Sequence, residues 1–403
     1  MRSAVVVGAG IGGLAIAGGL ARSGWQVTLL ERAERLRGDS AALLLWPSGL
    51  RALRALGLAD GLGAISWPAP ARGIRRPNGQ WLVQPDAATE PEDVQPVVVH
   101  REDLHDALVA GLGEKIDIRT GAQVRTVRMP GADRPAVGDG SHTFEADLVV
   151  AADGLDSIVR RRLLPESAAV AAGSAAWRAV IPWYRAPKLP EFTGEDPAGR
   201  GGETLGAGHR FRYALLGERG SAGASTRGGV YWVATVPGAY RPEPPATQLA
   251  LLRRWFADWH APIGDLLAAT EPDDLIQHQV GEVRPLPRCF GFASGTGGYA
   301  LLGDAAHAMS HQLGHGACLA LEDAATLRDL VYRAIPGRDL TGAVDAYSRD
   351  RRPHLARIVR QSRRAGLAGG LSGRGRDGGL GRTPGLLTRV SGMVRQWRPP
   401  AGS

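Results

Sequence analysis

Apolar and polar positions along this chain follow two rhythms. Residues 4–7 (Ala4-Val5-Val6-Val7) are an unbroken, partly β-branched apolar run, which predicts a buried strand. A helix is predicted from about Gly12 to Ser23, then a strand over Gln26–Leu30 that ends at Glu31. Val98-Val99-His100-Arg101 predicts a strand end entering a helix. Short strands are predicted within 117–128 and 141–152, the last a very apolar one over Leu148–Ala152, and Tyr299–Leu302 repeats that pattern. Over 171–282 the strand–helix alternation breaks. There the strand-like stretches Trp177–Trp183, Phe211–Leu215 and Val230–Thr235 carry aromatics, followed by a predicted helix at Pro245–Trp259. The two rhythms predict an α/β chain with an inserted, mostly antiparallel β-sheet.

Glycines and acids stand where the apolar strands end. Gly8, Gly10 and Gly13 spell G-x-G-x-x-G: the first permits a tight turn, the second a close approach to a pyrophosphate, the third close helix–sheet packing. Glu31, eighteen residues past Gly13, is placed to accept hydrogen bonds from a ribose. The bland alternatives are an ordinary buried strand–helix–strand unit, a signal peptide or a membrane helix over 2–21. The glycine spacing, the lack of a small-residue cleavage pattern and the placed Glu31 argue against all three. Asp153-Gly154 follows Leu148–Ala152, where ligands bind in open α/β sheets. Gly303-Asp304 follows Tyr299–Leu302, and Gly314 and Gly316 precede another helix whose amides can face an electron-rich group. The first motif alone implies a dinucleotide. The three in this order imply FAD held by a discontinuous domain.

Composition changes this picture little. The chain of 403 residues is 44% hydrophobic and 22% charged, which suits two intimately joined domains. Cys289 and Cys318 alone give neither a metal spacing nor a disulfide framework, so a reducing cytoplasm is expected and no metal site. The net charge of +8 sits in residues 360–403, which hold nine Arg and one Asp; the remainder carries 39 basic and 39 acidic residues. The basic part belongs to a Gly-rich and therefore loose tail, so no nucleic-acid partner is expected. No second apolar run has membrane length.

The motif trio resembles the group A flavoprotein monooxygenases, the p-hydroxybenzoate-hydroxylase-like fold, over most of residues 1–365. The likeness includes Leu45-Trp46-Pro47-Ser48-Gly49-Leu50, Trp177-Arg178, Gly208-His209-Arg210-Phe211, Tyr231-Trp232 and Tyr347…Arg351-Arg352-Pro353. It implies a Rossmann-like FAD-binding domain made of 1–170 and 283–365, a substrate domain at 171–282, a C-terminal helix, and a basic tail at 366–403; residues 69–96 are expected beside the substrate sheet. It implies that Gly8, Gly10 and Gly13 hold the pyrophosphate, Glu31 the ribose and Arg101 the phosphate or ribityl region. Asp304 would hold the ribityl chain, and Gly314, Gly316 and Ala317 would offer amides to the isoalloxazine. Asp153 and Gly154 serve FAD and a passing NADH or NADPH, and Arg32 and Val124 complete the set. The resemblance gives Arg210 and Tyr231 catalytic work, against the plainer readings of a structural ion pair and a core aromatic. His311 replaces a proline that normally lies near the flavin's reactive edge; it is either a base or hydrogen-bonding group, or a tolerated loop substitution. His307 and His315 are expected to be structural.

The implied reaction uses NAD(P)H and O2 to hydroxylate or epoxidise a small aromatic or polyketide-like substrate through a flavin C4a-hydroperoxide. A soluble cytoplasmic monomer or homodimer is expected. Three rivals stay open. Trp177-x-Ala179-x-Ile181-Pro182 resembles a flavin halogenase signature with one Trp missing, and Lys115 and Lys188 are the chain's two lysines. The others are a flavin-dependent reductase or dehydrogenase of a polyprenyl or quinone-like substrate, and a non-catalytic flavin-binding partner in a biosynthetic complex.

Overall fold

The structure is a computed structural model describing residues 1–70, 73–84, 95–114, 116–188, 200–206, 208–217, 227–238, 241–334, 340–371 and 397. Lys115, and the tail beyond 371 apart from Trp397, lie outside the described residues. The apolar runs assemble the first sheet. Ser3–Val7 pairs in parallel with Gln26–Leu30 on one side and Leu148–Ala151 on the other. Ile116–Arg119 and Gly297–Leu301 extend it in parallel, and Gly291–Ser294 adds an antiparallel edge, giving six strands. Val5, Val6, Val149 and Val150 are almost wholly buried, as strands covered on both faces must be, which is why these segments show no alternation. Helices Ile11–Arg22 and Gly316–Arg333 pack against each other beside this sheet.

The second sheet has seven strands in the order Ile276–Arg284, Ala168–Pro182, Gly229–Pro237, His209–Leu216, Gly201–Gly206, Ile74–Arg75 and Trp81–Val83. All its pairings are antiparallel except Gly201–Gly206 with Ile74–Arg75. Alternation sends Trp177, Ala179 and Ile181, Phe211, Tyr213 and Leu215, and Trp232, Ala234 and Val236 to one face. With helices Pro245–Trp255 and Ile263–Ala269 they form a second core, in which Phe211 stacks on Trp232 at 5.4 Å. Each of the larger of these side chains contributes about 1.5–3 kcal/mol of burial. The opposite face carries arginines, histidines and a tyrosine.

Three boundaries differ from expectation. The second sheet reaches beyond 171–282, because Ala168 still pairs with Arg284 across the ladder of its two outer strands. The helix expected to reach Trp259 stops at Trp255: Phe256 turns out of helical geometry (φ −109°) to set its ring against Phe211 at 5.4 Å. The last helix, Thr341–Leu371, overruns 365, since interior glycines weaken a helix by only about 1 kcal/mol each. Nor is every residue of the expected loose tail exposed: Trp397 is buried, and its carbonyl accepts from Arg51 Nη2 at 2.8 Å.

Candidate active site

Sheet register brings the three motifs together. Val7, Ala151 and Leu301 are neighbours across three parallel strands, so Gly8, Asp153 and Gly303 leave the sheet at one edge. At Gly8 the backbone is left-handed (φ +98°), and a Cβ there would lie 2.5 Å from the Ala152 carbonyl oxygen. A Cβ on Gly13 would lie 1.9 Å from the Gly8 carbonyl oxygen, so this glycine is needed for close packing. Gly10 differs: nothing stands within 4 Å of its Cβ position, and its φ of −72° suits any residue. It is a cradle, bounded by the first turn of helix Ile11–Arg22, whose N-cap has no side-chain hydrogen bond. Glu31 shapes that loop by accepting from the amides of Ala9 (2.8 Å) and Ala33 (2.9 Å).

The same openness recurs at the other two motifs. Nothing stands within 4 Å of the Cβ positions of Gly154 and Gly316, and helix Gly316–Arg333 also starts without a side-chain cap. Asp304, exposed, opens a short helix between them. Unsatisfied helix amides, open glycines and an exposed acid at one sheet edge fit a flavin dinucleotide. Arg101 begins its helix and reaches Asp39 at 3.1 Å; Arg32 is exposed, and Val124 belongs to the first core. Asp153 accepts from the Ile158 amide at 2.8 Å, and burial pushes its carboxyl above the usual range.

Several residues that hold this edge together carry no motif in the sequence. Arg160, fully buried, donates to the carbonyls of Ala305 (3.0 Å) and Leu155 (2.5 Å), tying the second motif to the third. His105 meets the Ala9 carbonyl at 3.1 Å. Beneath Gly303 lies a buried ion cluster. Asp323 accepts from the Gly303 amide (3.0 Å), His307 Nε2 (2.6 Å) and Arg351 Nε (2.7 Å), and Arg351 also donates to Glu322 at 3.0 Å. Burial pushes the Asp323 carboxyl up, but His307 and Arg351 outweigh it and hold it below its usual value. The cluster, His307 included, links the Gly303-Asp304 turn to the helix starting at Gly316. His315 is buried against Trp46, ring centroids 4.7 Å apart.

The polar face of the second sheet lies opposite. Register aligns Arg210, Thr235, Ala176 and His278 in one row, and Glu203, Arg212, Val233, Arg178 and Ile276 in the next. Tyr231 stands one row further, opposite Ala214 and Val180. Glu203 binds Arg210 at 2.5 Å and Arg212 at 2.8 Å. Arg178 and Arg101 share Asp39. Arg212 borders the Gly314 turn, since a Cβ on Gly314 (φ +64°) would lie 3.5 Å from its Nη1. His311 comes from the short 3₁₀ helix His311–Leu313 and meets Thr235 Oγ1 through Nε2 at 2.9 Å. A cavity of about 10 Å³ is lined by Arg210, Arg212, Val233, Thr235 and His311. Burial, His278 and the guanidiniums of Arg210, Arg212 and Arg178 push His311 down to about 3, so its imidazole is uncharged at neutral pH. A base poised near pH 7 is therefore not what this pocket makes of His311. Burial also raises the Tyr231 phenol. Trp177 of the halogenase-like signature points away, donating to Gln248 at 2.9 Å in the second core.

Comparison with known proteins shows the family. The FAD binding domain family matches residues 1–197 and 294–362. The aurachin C monooxygenase/isomerase of Stigmatella aurantiaca is 32% identical, over 80% of this chain and 79% of that protein. The 3-amino-4-hydroxybenzoate 2-monooxygenase of Streptomyces cremeus is 32% identical over 89% and 85%. The crystal structure of Klebsiella pneumoniae HpxO complexed with FAD and uric acid superposes with a TM-score of 0.78 at 26% identity, covering 98% and 96%. Among the described residues no helix is long and apolar enough to cross a membrane. The chain belongs to the p-hydroxybenzoate-hydroxylase-type flavoprotein monooxygenases, enzymes that bind FAD and use NAD(P)H and O2 to oxygenate aromatic substrates.

Proposed function

We propose that this enzyme hydroxylates an electron-rich aromatic anion, held with its charge against Arg212 and Arg178 and its ring over the Gly314–Ala317 turn. The observation that carries this is the approach of Arg212 to the Gly314 turn, 3.5 Å from where a side chain would begin. Arg212 keeps side-chain exposure of 29% while Arg210 keeps 11%, so Arg212 is the more accessible to a ligand. Arg210 anchors Glu203, which in turn orients Arg212. Two relatives' names fit an acidic, nitrogen-bearing ring: 3-amino-4-hydroxybenzoate and uric acid.

In this reading Gly8, Gly10 and Gly13 hold the FAD pyrophosphate, with Glu31 and Arg32 toward the ribose and Arg101 and Val124 along the chain. Asp304 holds the ribityl group, Gly314, Gly316 and Ala317 the ring system, and Asp153-Gly154 the approach of NAD(P)H. FAD, when bound, supplies hydride acceptance and the activation of O2. The chain's own residues bind and orient. The guanidiniums favour the ionised, electron-rich form of a phenol or acidic heterocycle. The Tyr231 hydroxyl makes no hydrogen bond to another described residue and stays protonated, so it can donate to the substrate. The apolar wall of Val233 and Val180 helps exclude water. Two free thiols, Cys289 and Cys318, suit a reducing cytoplasm, where we place the enzyme as a monomer or homodimer.

Benzoate is the simplest probe of the anion site. In the FAD-loaded enzyme, Arg212→Met should weaken benzoate binding, read from the flavin absorbance, by about tenfold to a hundredfold, the worth of a charge-assisted hydrogen bond. FAD retention should be unchanged. Equal benzoate affinity in the variant, or none in the wild type, would overturn the reading.

A further inference from the structure

Beyond the arginines, a second imidazole that no motif announces stands beside His311. His278 lies on strand Ile276–Arg284, directly opposite Ala176, which is itself opposite Thr235. Thr235 holds His311, and the small side chain of Ala176 lets the two imidazoles approach until their ring centroids are 5.9 Å apart. Neither ring nitrogen of His278 hydrogen-bonds to another described residue, and Nδ1 is buried without a partner. A buried imidazole nitrogen left unpaired costs about 1–3 kcal/mol, which a hydrogen bond from a ligand would recover.

We infer that His278 and His311 form the hydrogen-bonding end of the substrate site, a paired-imidazole clamp for a ring edge carrying two adjacent polar groups. Such edges are an amino group beside a hydroxyl, or a ring N–H beside a carbonyl. Arg178 faces His278 from the neighbouring strand, with Asp39 and Arg101 beside it, and burial with Arg178 pushes His278 down to about 4. His311 is faced by Arg210, Arg212 and Arg178. Both rings are therefore uncharged at neutral pH: His278 has one donor and one acceptor nitrogen to offer, and His311, whose Nε2 is engaged by Thr235, has Nδ1. Two neutral rings match an edge that both gives and takes hydrogen bonds; two charged ones would accept nothing. His278 is thus a specificity residue, and the inference rests on the anion-binding reading of the same site.

A ladder of probes separates the two ideas: benzoate, 4-hydroxybenzoate and 3-amino-4-hydroxybenzoate, with uric acid as an independent two-group edge. Binding to the FAD-loaded enzyme is read from flavin absorbance. Wild type should bind 3-amino-4-hydroxybenzoate at least about tenfold more tightly than benzoate, as one to two net hydrogen bonds allow. His278→Phe, which keeps a ring and removes both nitrogens, should abolish that preference while leaving benzoate and FAD affinity unchanged. His278→Asn, which restores a donor and an acceptor, should recover part of it. If benzoate binds through Arg212 but His278→Phe keeps the full preference, the clamp is wrong and the anion site stands. If benzoate and the two-group probes all fail to bind, both fall.

Discussion

Replacing Gly10 with alanine separates cofactor binding from folding. The backbone there is extended (φ −72°, ψ 177°), which alanine adopts without strain, and its Cβ would meet no protein atom within 4 Å. At such a position Gly→Ala stabilises by about 0.4–1 kcal/mol through the unfolded state. The apoprotein melting temperature should therefore hold or rise slightly. The same methyl would fill the space assigned to the pyrophosphate and push it off the first-turn amides. Losing one hydrogen bond to a charged group costs about 1.5–3 kcal/mol, a weakening of FAD binding of roughly tenfold to a hundredfold or more. Gly13→Ala is the control: its Cβ would sit 1.9 Å from a backbone oxygen, so the apoprotein itself should lose stability. The assay is apoprotein melting beside FAD affinity from quenching of flavin fluorescence. A Gly10→Ala protein that binds FAD within threefold of wild type would refute the cradle.

Asp323→Asn should leave Arg351 short of a countercharge inside the buried cluster, costing about 3–5 kcal/mol, and should weaken FAD binding as the Gly303-Asp304 turn relaxes; chemical denaturation with and without FAD reads both. His278 and His311, held uncharged well below the usual histidine value, bind protons in the unfolded chain that the folded chain refuses. Their contribution is intact above about pH 6.5, and stability should fall as pH drops from there toward about 4, by up to about 1.4 kcal/mol per unit for each ring. The double His278→Asn, His311→Asn variant should show a shallower decline in melting temperature over that window. His311→Ala should keep FAD but lower the yield of hydroxylated product per NAD(P)H oxidised, since the substrate loses one of its positioning rings; an unchanged yield would leave His311 a tolerated loop residue.

The cofactor half of this site is legible because it is local. Each flavin motif is a strand end plus the glycines or acid that follow it, all within a dozen residues, and the parallel register then aligns Val7, Ala151 and Leu301. The substrate half depends on which residues of distant strands fall in one row. His278 is seen to join His311 only once Ile276–Arg284 is paired with Ala168–Pro182 and that strand with Gly229–Pro237. Arg210 and Arg212 are two apart on one strand and face the same way, so their sequence cannot say that both pair with Glu203 or which stays the more exposed. Arg160 was within reach, seven residues past Asp153, but its target is the Ala305 carbonyl, contributed by a segment far along the chain. The Asp323–Arg351 cluster was hidden for the opposite reason: charged residues on amphipathic helices read as solvated unless the tertiary packing is known.

The central claim is that an aromatic anion is oxygenated between the flavin cradle and the arginine face. Its most direct test is turnover of the FAD-loaded enzyme with NAD(P)H under ¹⁸O₂, offering 3-amino-4-hydroxybenzoate and uric acid, with product mass measured beside NAD(P)H consumed. The account predicts a product that gains one ¹⁸O per NAD(P)H, and loss of that product in Arg212→Met with FAD still bound. Neither probe gaining ¹⁸O, or product forming equally well without Arg212, would contradict it.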